Sequence, residues 1–301
     1  MRPTPVTVLD GGLATELERR GCDLSDGLWS ARLLRDDPEA VRATHAAFYR
    51  AGAQVATTAS YQASFEGFAA RGLSTAEAAE LMRTSVALAR SAAEEVEAEA
   101  GDGRRRLVAA SVGPYGAVRA DGSEYSGDYG VNDTFLRDWH ARRLEVLASA
   151  GADLLAVETI PSEQEAAVLV ELVSDLSPDV VAWLSLTCAD AARTRRGEDV
   201  RRVFSLCRGV DAFVAVGANC TAPEHVPGLV SAAVEHSGKP AVVYPNSGES
   251  WDAGARRWGG DGAGVDPAAA ADWVARGARY VGGCCRVTSD DIGRLAAALS
   301  A

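Results

Sequence analysis

The chain has 301 residues, 47% of them hydrophobic and 24% charged, which is enough to bury one large core or two small ones and does not fit a disordered chain. Its 42 acidic and 30 basic residues leave a net charge of −12, against the basic stripe that a nucleic-acid surface needs. Six cysteines are too few for a disulfide-built secreted scaffold, no apolar run approaches a membrane span, and the N-terminal segment lacks a signal-peptide core. A cytoplasmic protein with reduced thiols and no membrane partner is expected.

Short apolar runs that end in turn residues predict eight strands, at about 6–10, 53–60, 107–113, 153–159, 180–187, 212–219, 240–245 and 279–283. They are apolar on both faces, as in Ala241-Val242-Val243-Tyr244, which suits strands buried on both sides. Helical patterns lie between them. The turn Gly12-Leu13-Ala14-Thr15 opens one helix, and Asp37-Pro38-Glu39 caps another that runs to about Arg50. Ser74 with Glu77 forms a capping box before a long Ala-rich helix, and Ser162 with Glu165 repeats it. Further helices are predicted near 134–150, 198–208, 223–237, 267–277 and 289–300. Strand and helix alternate eight times with no linker between them, so the expected fold is a single α/β domain over residues 1–301, a (β/α)8 barrel. The Gly-rich stretch 259–264 does not match a dinucleotide fingerprint.

Barrels of this kind build their active sites at the C-terminal ends of the strands. Reactive side chains cluster at those ends here: Asp10, Tyr61, Tyr115, Glu158, Thr187, Asn219-Cys220, Tyr244 and Cys284-Cys285. Three thiolates at strand ends make an open zinc site, in which three protein sulfurs leave the fourth position for substrate. A lone cysteine such as Cys22, Cys188 or Cys207 reads as a small core hydrophobe. The vicinal pair does not, because neighbours on a strand point to opposite faces and only a turn aims both at one point. All four histidines, His45, His140, His225 and His236, fall in predicted helices, away from the strand ends.

Asp10-Gly11-Gly12-Leu13-Ala14-Thr15-Glu16-Leu17-Glu18, Glu158-Thr159-Ile160-Pro161, Gly217-Ala218-Asn219-Cys220, Tyr244-Pro245-Asn246-Ser247-Gly248-Glu249 and Gly282-Gly283-Cys284-Cys285-Arg286 together resemble the homocysteine S-methyltransferase family. Residues 111–117 and 123–129 resemble its short stand-alone members, which take the methyl group from S-methylmethionine and often S-adenosylmethionine; cobalamin and folate modules, or the extension of betaine-dependent enzymes, are not expected after strand 8. Val287-Thr288 follows Cys-Cys-Arg where many relatives have Thr directly, a departure expected to leave the metal site intact.

The resemblance implies a (β/α)8 barrel with a zinc ion (Zn2+) on Cys220, Cys284 and Cys285, the homocysteine sulfur completing the set, and methionine as product. It also implies Glu158, with Asp10, as the partner of the substrate ammonium. The first-turn N–H groups at Ala14 and Thr15 form a ready site for the substrate carboxylate. When substrate is absent, a water or a nearby oxygen such as that of Asn219 is expected in the fourth position. Aromatic faces attract a sulfonium cation, and Tyr61, Tyr115, Tyr125, Tyr129 and Trp251 are the candidates, Tyr115 first. Residues 116–132 have the length of a lid. Three readings compete: a hydrolytic zinc enzyme, disfavoured because such sites use histidine; a zinc-thiolate methyltransferase with betaine as donor or another thiol or selenol as acceptor; and a zinc- or thiol-binding protein without turnover.

Overall fold

The computed structural model describes residues 5–24, 30–119, 122–252, 257–259, 262 and 264–300. Eight parallel strands are present: β1 (Thr7–Val8), β2 (Val55–Thr57), β3 (Leu107–Val112), β4 (Leu154–Ile160), β5 (Ala182–Leu186), β6 (Phe213–Asn219), β7 (Ala241–Tyr244) and β10 (Ala278–Val281). They pair in the order β1-β10-β7-β6-β5-β4-β3-β2. The two ends of that series meet through a parallel bridge between Leu9 and Val55. Gln54 N donates to Val8 O (2.7 Å) and Asp10 N to Val55 O (3.0 Å), so the sheet closes into the expected barrel. β8 (Ser250–Asp252) and β9 (Arg257–Gly259) form a separate antiparallel hairpin that the sequence reading did not contain.

Alternation along each strand divides the core in two. Leu9, Val55, Ala109, Leu154, Ala156, Trp183, Ala215 and Val242 point into the barrel, where the large buried Trp183 fills the space left by three alanines. Their neighbours Val108, Leu155, Val157, Leu184, Val216, Val243 and Val281 point outward, under the helices. Inside and outside are both apolar, which is why these strands read as continuous hydrophobic runs.

The helices follow their predicted caps. Pro38–Ala51 starts at Asp37, whose side chain accepts from Ala40 N, and stops at Gly52 in the left-handed region (φ +112°). Thr75–Ala100 carries the Ser74/Glu77 capping box, and Ser289–Leu299 carries a second box, Thr288/Asp291. Ser162 caps Glu163–Ser174 through Glu165 N, but Glu165 does not reach back to it. Its carboxylate is used elsewhere, as described below. The stretch expected as a lid contains a short helix, Tyr115–Arg119, and a 3-10 turn, Ser123–Tyr125. Among the described residues no helix is long and apolar enough to cross a membrane.

Candidate metal and substrate site

The three cysteines meet where β6 and β10 end. Cys220 follows β6 directly, and Gly282-Gly283 leads from β10 to Cys284-Cys285. The ends of β7 and β1 bind these turns: Cys220 N donates to Tyr244 O (3.3 Å), Cys284 N to Pro245 O (2.8 Å), Ser247 N to Cys285 O (3.1 Å) and Gly283 N to Asp10 O (3.0 Å). A Cβ at Gly12 would lie 2.6 Å from Cys284 O, and one at Gly282 would lie 2.7 Å from Asp10 O, so only glycine lets the two turns approach this closely.

The sulfurs of Cys220, Cys284 and Cys285 all lie within 4.8 Å of one another. Cys285 Sγ is 3.8 Å from Cys220 Sγ and 4.0 Å from Cys284 Sγ. Cys220 and Cys284 are joined as a disulfide, their Cα atoms 5.6 Å apart. The same Cα separation lets the two sulfurs share one metal ion, and with Cys285 they form a set of three ligand atoms that could hold one. Burial, with the charges of Glu158, Glu18 and Glu124 adding to it, pushes the Cys285 thiol up to about 12.

The positive-φ non-glycine residues among those described are Thr159 (+61°), Cys220 (+46°) and Arg286 (+67°), and all three flank this site. Such backbone is sparsely populated and concentrates at functional sites. Each one has its N–H held by a residue of another element, two at strand ends and one in the helix Leu13–Arg19. Thr159 N donates to Asn219 Oδ1 (2.8 Å), Cys220 N to Tyr244 O, and Arg286 N to Thr15 Oγ1 (2.9 Å). The β4–β5 register slips between Val157 and Ile160, as a bulge next to a site does. Asn219 spans three strands here, because its oxygen also accepts from Ser185 Oγ (2.8 Å) and its nitrogen donates to Thr159 Oγ1 (2.8 Å). Both lone pairs of that oxygen are therefore used, and the nitrogen is what faces Cys284 Sγ, at 4.0 Å. The structure thus places Asn219 as a brace rather than as an oxygen ligand.

Two buried carboxyls lie at the barrel mouth. Glu158 accepts from Ser111 Oγ and, at 3.0 Å, from Tyr244 OH, which in turn accepts from Trp183 Nε1 (3.1 Å). Asp10 accepts from Thr57 N and Thr57 Oγ1, both at 2.7 Å. Burial pushes both groups up to about 7, against their hydrogen bonds, and the charge of Glu158 raises Asp10 further. Neither forms an ion pair among the described residues. A carboxylate shut away from water without a cation is costly, so the pair is complementary to an ammonium group. Ser111 was not singled out from the sequence, although a serine at an inward position between Ala109 and the strand end was the available signal.

Ala14 and Thr15 lie in the first turn of the helix Leu13–Arg19, whose N-cap, Gly12, makes no side-chain cap. Tyr61 and Tyr125 are half-buried, and burial holds both hydroxyls well above the usual tyrosine range. The ring of Tyr115 belongs instead to an aromatic cluster, edge-on to Tyr129 (5.4 Å), Phe135 (5.2 Å) and Trp139 (5.2 Å). The side chain of Trp251 lies outside the described residues.

Glu165 explains how the lid is held, and the sequence reading missed it by assigning the residue to its own cap. Its fully buried carboxylate accepts from Tyr115 N (2.6 Å) and Tyr129 OH (3.0 Å) and pairs with His140 Nε2 (2.9 Å). Beside it, buried Arg143 donates to the carbonyls of Gly113 (2.8 Å) and Tyr61 (3.0 Å). Both ends of the 113–129 segment are therefore tied to the helix pair behind it.

Compared with known proteins, residues 7–299 match the family model for homocysteine S-methyltransferase. The chain is 43% identical over 297 residues to the homocysteine S-methyltransferase YbgG of Bacillus subtilis, covering 97% of this chain and 94% of that protein. It is 47% identical over 300 residues to the homocysteine S-methyltransferase of Escherichia coli, covering 97% and 94%. The crystal structure of the homocysteine methyltransferase MmuM from Escherichia coli in its metallated form superposes with a TM-score of 0.88 at 44% identity, over 98% of this chain and 96% of that one.

Proposed function

The chain belongs to the homocysteine S-methyltransferase family, and we propose that it acts as a single-domain, zinc-dependent enzyme of the cytoplasm that moves a methyl group from a sulfonium donor, S-methylmethionine or S-adenosylmethionine, to the sulfur of L-homocysteine. The observation that carries this reading is the juxtaposition of three sulfurs at the ends of β6 and β10 with two buried, cation-free carboxyls.

The sulfur set fits zinc. A tetrahedral ion with Zn–S bonds of about 2.3 Å places its sulfurs about 3.8 Å apart, close to the 3.8 and 4.0 Å that separate Cys285 from its two partners. Cys220 and Cys284 would complete the set as thiolates, the form that a reducing compartment keeps. Bound there, zinc would supply the positive charge that lets a thiol give up its proton at neutral pH.

The chain's own groups do the rest. Glu158, oriented by Ser111 and Tyr244, takes the homocysteine ammonium, and Asp10 adds negative charge from β1 while Thr57 holds it in place. The first-turn N–H groups at Ala14 and Thr15 take the carboxylate. With both ends held, the homocysteine sulfur is aimed at the methyl carbon, and this positioning is a large part of the rate gain. A bond forms from that sulfur to the methyl carbon as the bond to the donor sulfur breaks. Its electron pair neutralises the sulfonium, and the thiol proton is lost to solvent. With S-methylmethionine both products are methionine. Tyr61 and Tyr125 offer π faces to the cation.

The test is zinc content of the reduced protein together with methionine formation from homocysteine, using S-methylmethionine, S-adenosylmethionine and betaine side by side. The expected result is about one zinc per chain and turnover on a sulfonium donor. Turnover on betaine alone, or none on any donor in the zinc-loaded protein, would overturn the reading.

A further inference from the structure

Past β5 the chain folds into a small frame, held by bridges from Cys188 to Thr194 and from Arg193 to Asp199, and this frame presents two successive arginines to the lid. Arg196 is fully engaged: it donates to Gly127 O and pairs with Asp128 (3.3 Å) and Glu198 (3.7 Å). Arg195 is not. Its backbone is fixed by Arg195 N donating to Thr187 O (3.1 Å), and its guanidinium carbon lies 5.8 Å from the centroid of the Tyr125 ring. Nε is 3.5 Å from Thr187 Oγ1, and that hydroxyl donates to the backbone oxygen of Cys220 (3.1 Å). The terminal amino groups of Arg195 have no hydrogen-bond or ion-pair partner among the described residues, although the side chain is half-buried. Arg286, on the other side of the cysteines, is by contrast paired with Glu249 (2.9 Å).

We infer that Arg195 binds the α-carboxylate of the methyl donor, its guanidinium lying across the Tyr125 ring beside the sulfur cluster. The inference rests on the sulfonium-donor reading above. A half-buried guanidinium held without an acid is matched by an anionic ligand, and its planar fork suits a carboxylate. S-methylmethionine and S-adenosylmethionine share that carboxylate, at the same distance along the chain from the sulfonium. Thr187 links Arg195 to the backbone of Cys220, so the guanidinium and the Tyr125 ring it faces stand on the cysteine side of the barrel mouth. A donor whose sulfonium faces the cysteines next to this ring has its carboxylate end directed toward Arg195. Homocysteine has its own holders on the β1 and β4 side, so the two amino-acid substrates are held by different groups.

The experiment is steady-state kinetics of the zinc-loaded, reduced enzyme and its Arg195→Ala and Arg195→Lys variants. Two donors are used, S-methylmethionine and its carboxylate-free analogue (3-aminopropyl)dimethylsulfonium. In the wild type the analogue is expected to lose about tenfold to a hundredfold in kcat/KM, the range for a hydrogen bond to a charged group. Arg195→Ala should lose a similar factor with S-methylmethionine, mainly as a higher donor KM, and lose little more with the analogue. Arg195→Lys should recover part of the loss. Zinc content and homocysteine affinity should not change. Equal losses on both donors, or no loss on S-methylmethionine, would overturn the inference while the sulfonium reading stood. A wild type that turns over neither sulfonium, nor S-adenosylmethionine, would remove the reading itself and the inference with it.

Discussion

Replacing Glu158 with Gln separates binding from stability, because the structure gives the two effects opposite signs. The carboxyl is buried, is bonded by Ser111 and Tyr244, lacks a cation among the described residues, and is raised from 4.5 to about 7. A group raised in this way stabilises the fold below its unfolded pKa and loses that contribution as pH rises through 7. A shift of this size is worth about 3 kcal/mol at pH 8. Gln carries no charge, so the variant escapes this penalty. Its amide must still point a donor at Ser111 or Tyr244, which costs about 1 kcal/mol. The ligand-free variant should therefore be more stable than the wild type at pH 8 by about 1–2 kcal/mol, a few degrees in Tm, with the difference vanishing near pH 5. Homocysteine affinity should fall about tenfold to a hundredfold, as expected for losing a charged partner of the ammonium, and zinc content should stay the same. Thermal scans at pH 5 and 8 together with calorimetric titration decide the matter. A variant less stable at pH 8, or one that binds homocysteine normally, would refute the assignment of Glu158 to an ammonium.

The same carboxyl pair predicts a pH dependence of binding. Asp10 and Glu158 both sit near 7, so an ammonium entering below that pH must drive off protons, and affinity should fall by up to about tenfold per pH unit for each proton released. L-methionine, which has no thiol proton, isolates this effect; titrations in two buffers of different ionisation heat should show proton release at pH 6 and little at pH 8, and a flat profile would count against the pair. Cys284→Ala should lose zinc even under reductant, whereas Cys22→Ala should keep it, as read by metal content after gel filtration. Asn219→Ala leaves Thr159 N and Ser185 Oγ without their acceptor and should cost about 1–3 kcal/mol of stability. It should also speed zinc loss to a chelator, and an unchanged rate would mean that the brace does not reach the sulfurs.

The barrel was legible because its strands are buried on both faces and its helices carry local caps, so short windows held the signal. Asp37 with Pro38 and Ser74 with Glu77 behave as their local sequence requires. Ser162 and Glu165 show where such windows fail. The same local pattern is present, but a buried His140 and two tyrosines from other elements compete for the carboxylate and win. The packing of Tyr115 was hidden for a related reason. Its position after β3 was read correctly, but the direction of its ring is set by Phe135 and Trp139 on a different helix.

The backbone of the site was the least legible part, and for a specific reason. Local rules assign Thr159, Cys220 and Arg286 to ordinary conformations, because a β-branched threonine in the left-handed region is a genuine outlier. Each such residue costs about 1–3 kcal/mol unless its surroundings over-determine it. The compensating bonds come from Asn219, Tyr244 and Thr15, which lie 60, 24 and 271 positions away along the chain. The strain and its restraint therefore appear together only after the barrel has closed. The consequence is that the sulfurs and the ammonium site are aimed by contacts between distant elements, so a substitution at Asn219 or Thr15, whose side chains accept two of these bonds, should disturb metal and homocysteine together, whereas one at Glu158 should disturb homocysteine alone.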